Sequence, residues 1–243
     1  MNLLPDSLHG FDGPYFIVRL SSFQNSLMQN ADLCVCLCRT HVKIVHYLFV
    51  LSCPLADLNP ALIPLSLYIH MPWCVRKCPY CDFNSHAVPD GKLSLDLEQQ
   101  YLQALVEDFK TQLDFAQGRH IHSVFIGGGT PSLISAKAYQ WLFTELKALL
   151  PFENDCEITL EANPGTVEHD PFAGYLQAGI NRLSIGVQSF NTEHLKKLGR
   201  IHSDHDAVSA IQNAKEAGFE RVNVDLMHGL PEQTLEQALF DLK

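Results

Sequence analysis

The sequence predicts an α/β fold carrying a parallel sheet, either as a barrel or as a doubly wound layer. Three observations predict it. From residue 64 onward, short β-rich runs alternate with helical stretches. The stretches between them repeat apolar residues at helical spacing. Four of the five β-rich runs end in a Gly-, Pro- or Cys-containing segment, and the other ends in VQSF.

The elements follow in order. PLSLYIH (64–70) reads as a strand, and Leu102, Leu105, Phe109 and Leu113 recur at helix spacing after it. IHSVFIGGG (121–129) is a strand running into a glycine turn, and residues 133–150 are helix-like. CEITLEANP (156–164) and NRLSIGVQSF (181–190) are two further strands. Ala207, Ala210, Ile211 and Ala214 mark one face of a helix. RVNVDLMHGLP (221–231) is a fifth strand with a Gly/Pro stop, and EQTLEQALFDLK starts a last helix. In parallel α/β folds the sites lie at the C-terminal ends of the strands. HMPWC, GGGTP, EANPG, VQSF and MHGLP all fall at such ends, which points to one shared mouth.

Composition limits the function. At 47% hydrophobic and 18% charged over 243 residues, the chain is of ordinary globular type. A net charge of −10 argues against a nucleic-acid partner. The opening MNLLPDSLHGFDGP has no basic start of the secretory kind, so a reducing, cytoplasmic setting is expected. In that setting clustered cysteines, among the eight of this chain, more often bind metal or do chemistry than form disulfides.

Residues 1–60 form an unassigned N-terminal extension with no clean period. It holds Cys34, Cys36, Cys38 and Cys53, and its most apolar stretch, 44–55, is about half of the ~20 residues that cross a membrane.

CVRKCPYC places Cys74, Cys78 and Cys81 at spacings of four and three, beside Arg76 and Lys77. Cations favour the thiolates that bind metal. Three thiolates hold three irons of a [4Fe-4S] cube and leave the fourth open. A zinc site completed by His70 or His86 is the competing reading of the same residues. GGGTP (127–131) exposes backbone N–H groups for close approach to a ligand.

LYIHMPWCVRKCPYCDF, FIGGGTPSLI, EITLEANPGT, RLSIGVQSF, LGRIH and NVDLMHGLPEQT occur in this order over residues 61–243. Together they resemble the radical S-adenosylmethionine (SAM) family of oxygen-independent coproporphyrinogen III oxidases and their heme-chaperone relatives. The resemblance implies a partial parallel (β/α) barrel of radical SAM type, truncated after about five β/α units. It implies Cys74, Cys78 and Cys81 as cluster ligands. Tyr68, Tyr80, Gly128, Gly129, Thr130, Glu161, Gln188, Arg200 and Asp225 match SAM-pocket positions. Without it, the tyrosines read as packing aromatics, Glu161, Arg200 and Asp225 as ion pairs, Gln188 as a helix cap and His70 as a satisfied core histidine.

The implied cofactors are the [4Fe-4S] cluster and SAM, with heme as cargo. The implied partners are heme-acceptor proteins and an electron donor, with membrane contact only through an acceptor. No side chain is expected to be catalytic, because the cofactors carry the chemistry. The oxidases carry a cysteine two residues after the third ligand, where this chain has Phe83. That favours the chaperone branch, with an oxidase or an inactive fragment as alternatives. The resemblance also implies a further strand and a C-terminal domain after Lys243.

Overall fold

A computed structural model describes residues 18–22, 62–165 and 170–243. The elements are β1 (Val18–Ser22), β2 (Leu65–Met71), β3 (Trp73–Cys74), β4 (His86–Ala87), α1 (Leu95–Gln112), β5 (Ile121–Gly128), α2 (Ala136–Leu149), β6 (Phe152–Ala162), α3 (Phe172–Gln177), β7 (Arg182–Gln188), α4 (Thr192–Lys197), α5 (Asp204–Glu216), β8 (Arg221–Leu226) and α6 (Leu235–Phe240).

The helices start where the sequence supplies oxygen caps. Ser94 accepts from Leu97 N at 3.2 Å ahead of α1, and Ser135 does the same for Ala138 N ahead of α2. Ser203 and Asp206 form a capping box at α5, and Thr234 and Gln237 form one at α6. Glu98 of α1 accepts from the Ser135 backbone N–H at 2.7 Å and from its hydroxyl at 3.1 Å, which ties the first two helices together.

One sheet runs β1-β2-β5-β6-β7-β8. β2, β5, β6, β7 and β8 are parallel neighbours in chain order, with no reversal. A doubly wound sheet reverses its order at a switch point. Unbroken sequential order is the winding of a barrel wall. The fold is therefore a partial parallel (β/α) barrel. β1, inside the segment read as an extension, pairs antiparallel with β2, Val18 opposite Ile69 and Ser22 opposite Leu65. Cys34, Cys36, Cys38, Cys53 and the apolar stretch 44–55 lie outside the described residues. Among the described residues, no helix is long and apolar enough to cross a membrane.

The two sheet faces differ. Leu67, Ile69, Val124, Ile126, Ile158, Leu160, Leu183 and Ile185 face the helices, each 0–3% exposed. They pack against Leu102, Leu105, Phe109, Leu142 and Phe143 in one continuous core. Fully burying such a side chain contributes roughly 1.5–3 kcal/mol. The opposite face carries Ser66, Tyr68, His70, Thr159, Glu161, Ser184 and Asp225. Parallel strands buried on both sides read as near-continuous apolar runs. These alternate instead, because their inner face carries polar groups. At the start of the strands, Glu157 pairs with Arg182 and Arg221, both at 2.9 Å.

The sequence reading missed the short helices α3 and α4, the β3/β4 pair and β1. Each has too few residues to establish a period.

Candidate functional site

The cysteine loop is closed at its base by a small ladder. Trp73 pairs with His86 and Cys74 with Ala87. His86 N donates to Pro72 O at 2.8 Å and Val88 N to Cys74 O at 2.9 Å. Inside the loop, Cys81 N donates to Cys78 O at 3.1 Å. Lys77 Nζ donates to Phe83 O at 3.1 Å and Ser85 O at 3.2 Å, bracing the returning strand. Lys77 thus turns to carbonyls, while Arg200 brings a cation to a thiol, its Nη1 3.7 Å from Cys78 Sγ. All three thiols are free. Cys74 is buried, and Cys78 and Cys81 are partly exposed. Burial pushes the Cys74 thiol up, the Ser85 and Thr130 hydroxyls beside it pull the other way, and Cys81 and Cys78 add to the rise. The three sulfurs therefore share one electrostatic neighbourhood.

The glycine turn is laced onto this loop. Gly129 N donates to Met71 O and Thr130 N to Trp73 O, both at 2.6 Å. A Cβ built on Gly129 would sit 2.2 Å from Trp73 O, so only glycine lets the two backbones meet. Gly128 has φ +109° and donates its N–H to Glu161 Oε2 at 3.1 Å. Replacing Gly129 with Ala is expected to destabilise the fold by ~1–3 kcal/mol, as inserted carbon in a packed site does. Urea unfolding checks this, and an unchanged midpoint would refute it.

Along the inner face, Tyr68 stacks on Phe125 with ring centroids 6.3 Å apart. Its hydroxyl contacts His70 Nδ1 at 3.0 Å, while His70 Nε2 contacts Asn84 O at 2.9 Å. A carbonyl only accepts, so Nε2 carries the proton and Tyr68 O–H donates to Nδ1. The phenol is pushed up to about 12 by burial and by Glu161. Burial raises the Glu161 carboxyl to about 7; the Gly128 N–H lowers it and Asp225 adds to the rise. Asp225 accepts from Ser184 Oγ at 3.0 Å and Asn223 Nδ2 at 2.7 Å. Arg200 donates through Nη2 to Asn163 Oδ1 at 2.7 Å and Gly186 O at 2.6 Å. These partners are neutral oxygens and a thiol rather than carboxylates. Gln188 sits at φ +70° at the end of β7, and Asn191, not Gln188, caps α4. Tyr80 is 40% exposed at the rim, its hydroxyl raised by burial despite the nearby Arg200 charge.

Sequence reasoning did not single out Asn163, Ser85 or Gly186. Asn163 donates to Thr130 Oγ1 at 3.4 Å and accepts from Arg200, so it joins the glycine turn to the guanidinium. Its place in the EANP segment was the available signal. Cys78, Thr130, Asn163 and Arg200 line a cleft between the cysteine loop and the 199–201 turn.

The donor set suits a cluster with a small chelating ligand. Arg200 Nε and Ser85 Oγ are buried with no hydrogen-bond partner, which leaves donors ready at the cleft and beside the Cys74 thiol. Among the described residues, no three His, Cys, Asp or Glu side chains converge as a single ion requires. Both ring nitrogens of His70 are also engaged, so His70 offers zinc no free lone pair.

The family profile described as the Radical SAM superfamily matches residues 68–242. The chain belongs to the radical SAM superfamily. Membership implies a [4Fe-4S] cluster and SAM. The heme chaperone HemW of Haemophilus influenzae is 56% identical over 184 residues, 76% of this chain and 48% of that protein. HemW of Escherichia coli is 56% identical over 180 residues, 74% of this chain and 47% of that one. The chain spans about half the length of these curated relatives. The solved structure of the radical SAM enzyme coproporphyrinogen III oxidase (HemN) from Escherichia coli superimposes with a TM-score of 0.62 at 32% identity, covering 72% of this chain and 39% of that one.

Proposed function

We propose that this protein is a HemW-like heme chaperone, which binds heme and passes it to acceptor proteins in the cytoplasm. The observation that carries the reading is the 56% identity to two HemW proteins, against 32% to the HemN structure. Phe83 supports it. The oxidases place a cysteine there, and a phenyl ring is neither nucleophile nor ligand. Its side chain is 53% exposed, while its carbonyl is used by Lys77.

In this reading Cys74, Cys78 and Cys81 hold the cluster, and the SAM site lies between the cysteine loop and the inner face of the sheet. When bound, the cluster supplies one electron to SAM. The chain's own groups do the holding. The glycine turn offers close backbone approach, and Thr130 is fixed by Trp73 O and Asn163. Arg200 presents an unpaired Nε–H to an anionic group at the cleft. Glu161 and Asp225 present carboxyl groups to a cationic or hydroxyl-bearing one, and Tyr68 is held in one orientation by His70. Tyr80 covers the rim and Gln188 closes the end of β7. An electron donor is required as a partner.

The test is a heme titration of the anaerobically reconstituted protein, followed by mixing with an apo-acceptor, beside a turnover assay for coproporphyrinogen III with SAM and a reductant. The expected result is saturable heme binding, heme transfer and no protoporphyrinogen IX. Product formed at the rate of a HemN control, or no saturable heme binding, would overturn the assignment.

A further inference from the structure

Resting on the reading that Cys74, Cys78 and Cys81 hold a [4Fe-4S] cluster, we infer that the Ser85 hydroxyl donates a hydrogen bond to the Cys74 sulfur and so sets the reduction potential of that cluster. Ser85 is 1% exposed, yet its Oγ has no hydrogen-bond partner. A buried hydroxyl left without a partner costs about 1–3 kcal/mol, and the acceptor beside this one is the Cys74 sulfur. The backbone places it. His86 pairs with Trp73 and Ala87 with Cys74 in a parallel ladder, so Ser85, two residues before Ala87, projects to the same side of it as Cys74, and its hydroxyl lies beside that thiol. The Ser85 carbonyl is held by Lys77 and its own N–H donates to Phe83 O at 2.8 Å, so the residue cannot drift from the loop. Both backbone groups are spent, and only the hydroxyl remains to act.

A neutral thiol is a poor acceptor, which fits the unmade bond. A thiolate bound to iron accepts charge-assisted hydrogen bonds well. Thr130 supplies a second hydroxyl beside the same sulfur. Its Oγ1 already accepts from Asn163, leaving its O–H as the free donor. Cys74 is then a buried ligand with two hydroxyl donors, whereas Cys78 faces a guanidinium. Hydrogen bonds to ligand sulfurs stabilise the more negative, reduced cluster and raise its potential. The energy available for reducing a bound ligand then depends on a residue that touches neither the ligand nor an iron.

The experiment reconstitutes wild type, Ser85→Ala, Ser85→Thr, Ser85→Val and Ser132→Ala anaerobically and measures the midpoint potential of the cluster by EPR-monitored redox titration. Ser132 is an equally buried hydroxyl without a partner, and controls for loss of a hydroxyl elsewhere in the core. The expected result is a downward shift in S85A with iron content and visible spectrum unchanged, a wild-type potential in S132A, and a potential in S85T above that of the size-matched S85V. A full cluster in S85A at the wild-type potential would overturn the inference while leaving the cluster reading intact. If S85A assembles no cluster, the S85T and S85V pair carries the comparison. Clusters in both at one potential, or in neither, overturn the inference. No cluster in wild type would instead sink the reading beneath it.

Discussion

Cys78→Ala is expected to remain colourless under conditions in which the wild-type chain, given iron and sulfide anaerobically, turns brown with about four irons per chain, the content of a cubane. Cys74→Ala and Cys81→Ala should lose the cluster equally. The loop offers no spare thiol. The fourth described cysteine, Cys156, is buried on β6 at a distance along the sheet, and burial holds its thiol up at about 11. Cys156→Ala should therefore keep the full iron content. Of the three, Cys74 is the most deeply set, and its loss also removes a buried sulfur against Thr130 and Ser85. C74A is accordingly expected to show a lower melting temperature as well, by the cost of a small internal cavity. Iron and sulfide analysis with the visible absorbance spectrum decides the matter. Stoichiometric zinc with no cluster on reconstitution would refute the ligand assignment.

Glu161→Gln is expected to stabilise the protein at pH 8 and to have little effect at pH 5. The Glu161 carboxyl is raised from 4.5 to about 7 in the folded chain, chiefly by burial. A raised carboxyl pKa means the folded state holds its proton more tightly than the unfolded chain does. Stability is then greatest below pH 4.5 and falls as the pH rises toward 7, where the folded carboxyl also ionises. The gap corresponds to about 3 kcal/mol at the upper end of that window. Glutamine keeps the acceptor for Gly128 N and removes the ionisation, so the variant should gain most of that figure at pH 8 and under about 1 kcal/mol at pH 5. Urea midpoints at both values test it, and a pH-independent difference between the two proteins would show that Glu161 is not perturbed. The same physics bears on ligand binding. A cation placed beside Glu161 favours its charged form, so uptake of a cationic ligand should release a burial penalty that the empty site carries.

Much of this architecture could be read from the sequence because its strands are long and the spacing of their apolar residues is regular. Leu102, Leu105 and Phe109 fall on the buried face of α1 as their spacing requires. The strand-end segments do converge, since parallel strands necessarily end on the same side. The failures have a common cause. β3 and β4 are two residues each and leave no pattern, yet they close the loop that carries the thiols. Lys77 was read as a charge next to cysteines, but proximity along the chain does not fix direction, and its ammonium turns to carbonyls instead. Arg200 reaches Cys78 from 122 residues away. No local pattern encodes such a contact; it follows from how the sheet brings its strand ends together. The polar networks around Asn163 and Asp225 were hidden for the same reason, because a short side chain reveals its partners only in three dimensions.

The sequential order of the parallel strands has a consequence for biosynthesis. Each of them pairs with its chain neighbour, so the wall can be laid down in the order in which a ribosome makes it. At ~5–20 residues per second, the 122 residues between Cys78 and Arg200 take about 6–24 s to emerge. Through that interval the nascent thiols are present without the guanidinium that later stands beside one of them. The contact between Arg200 and Cys78 is thus among the late ones to form, because it waits for the fourth parallel strand and the turn after it.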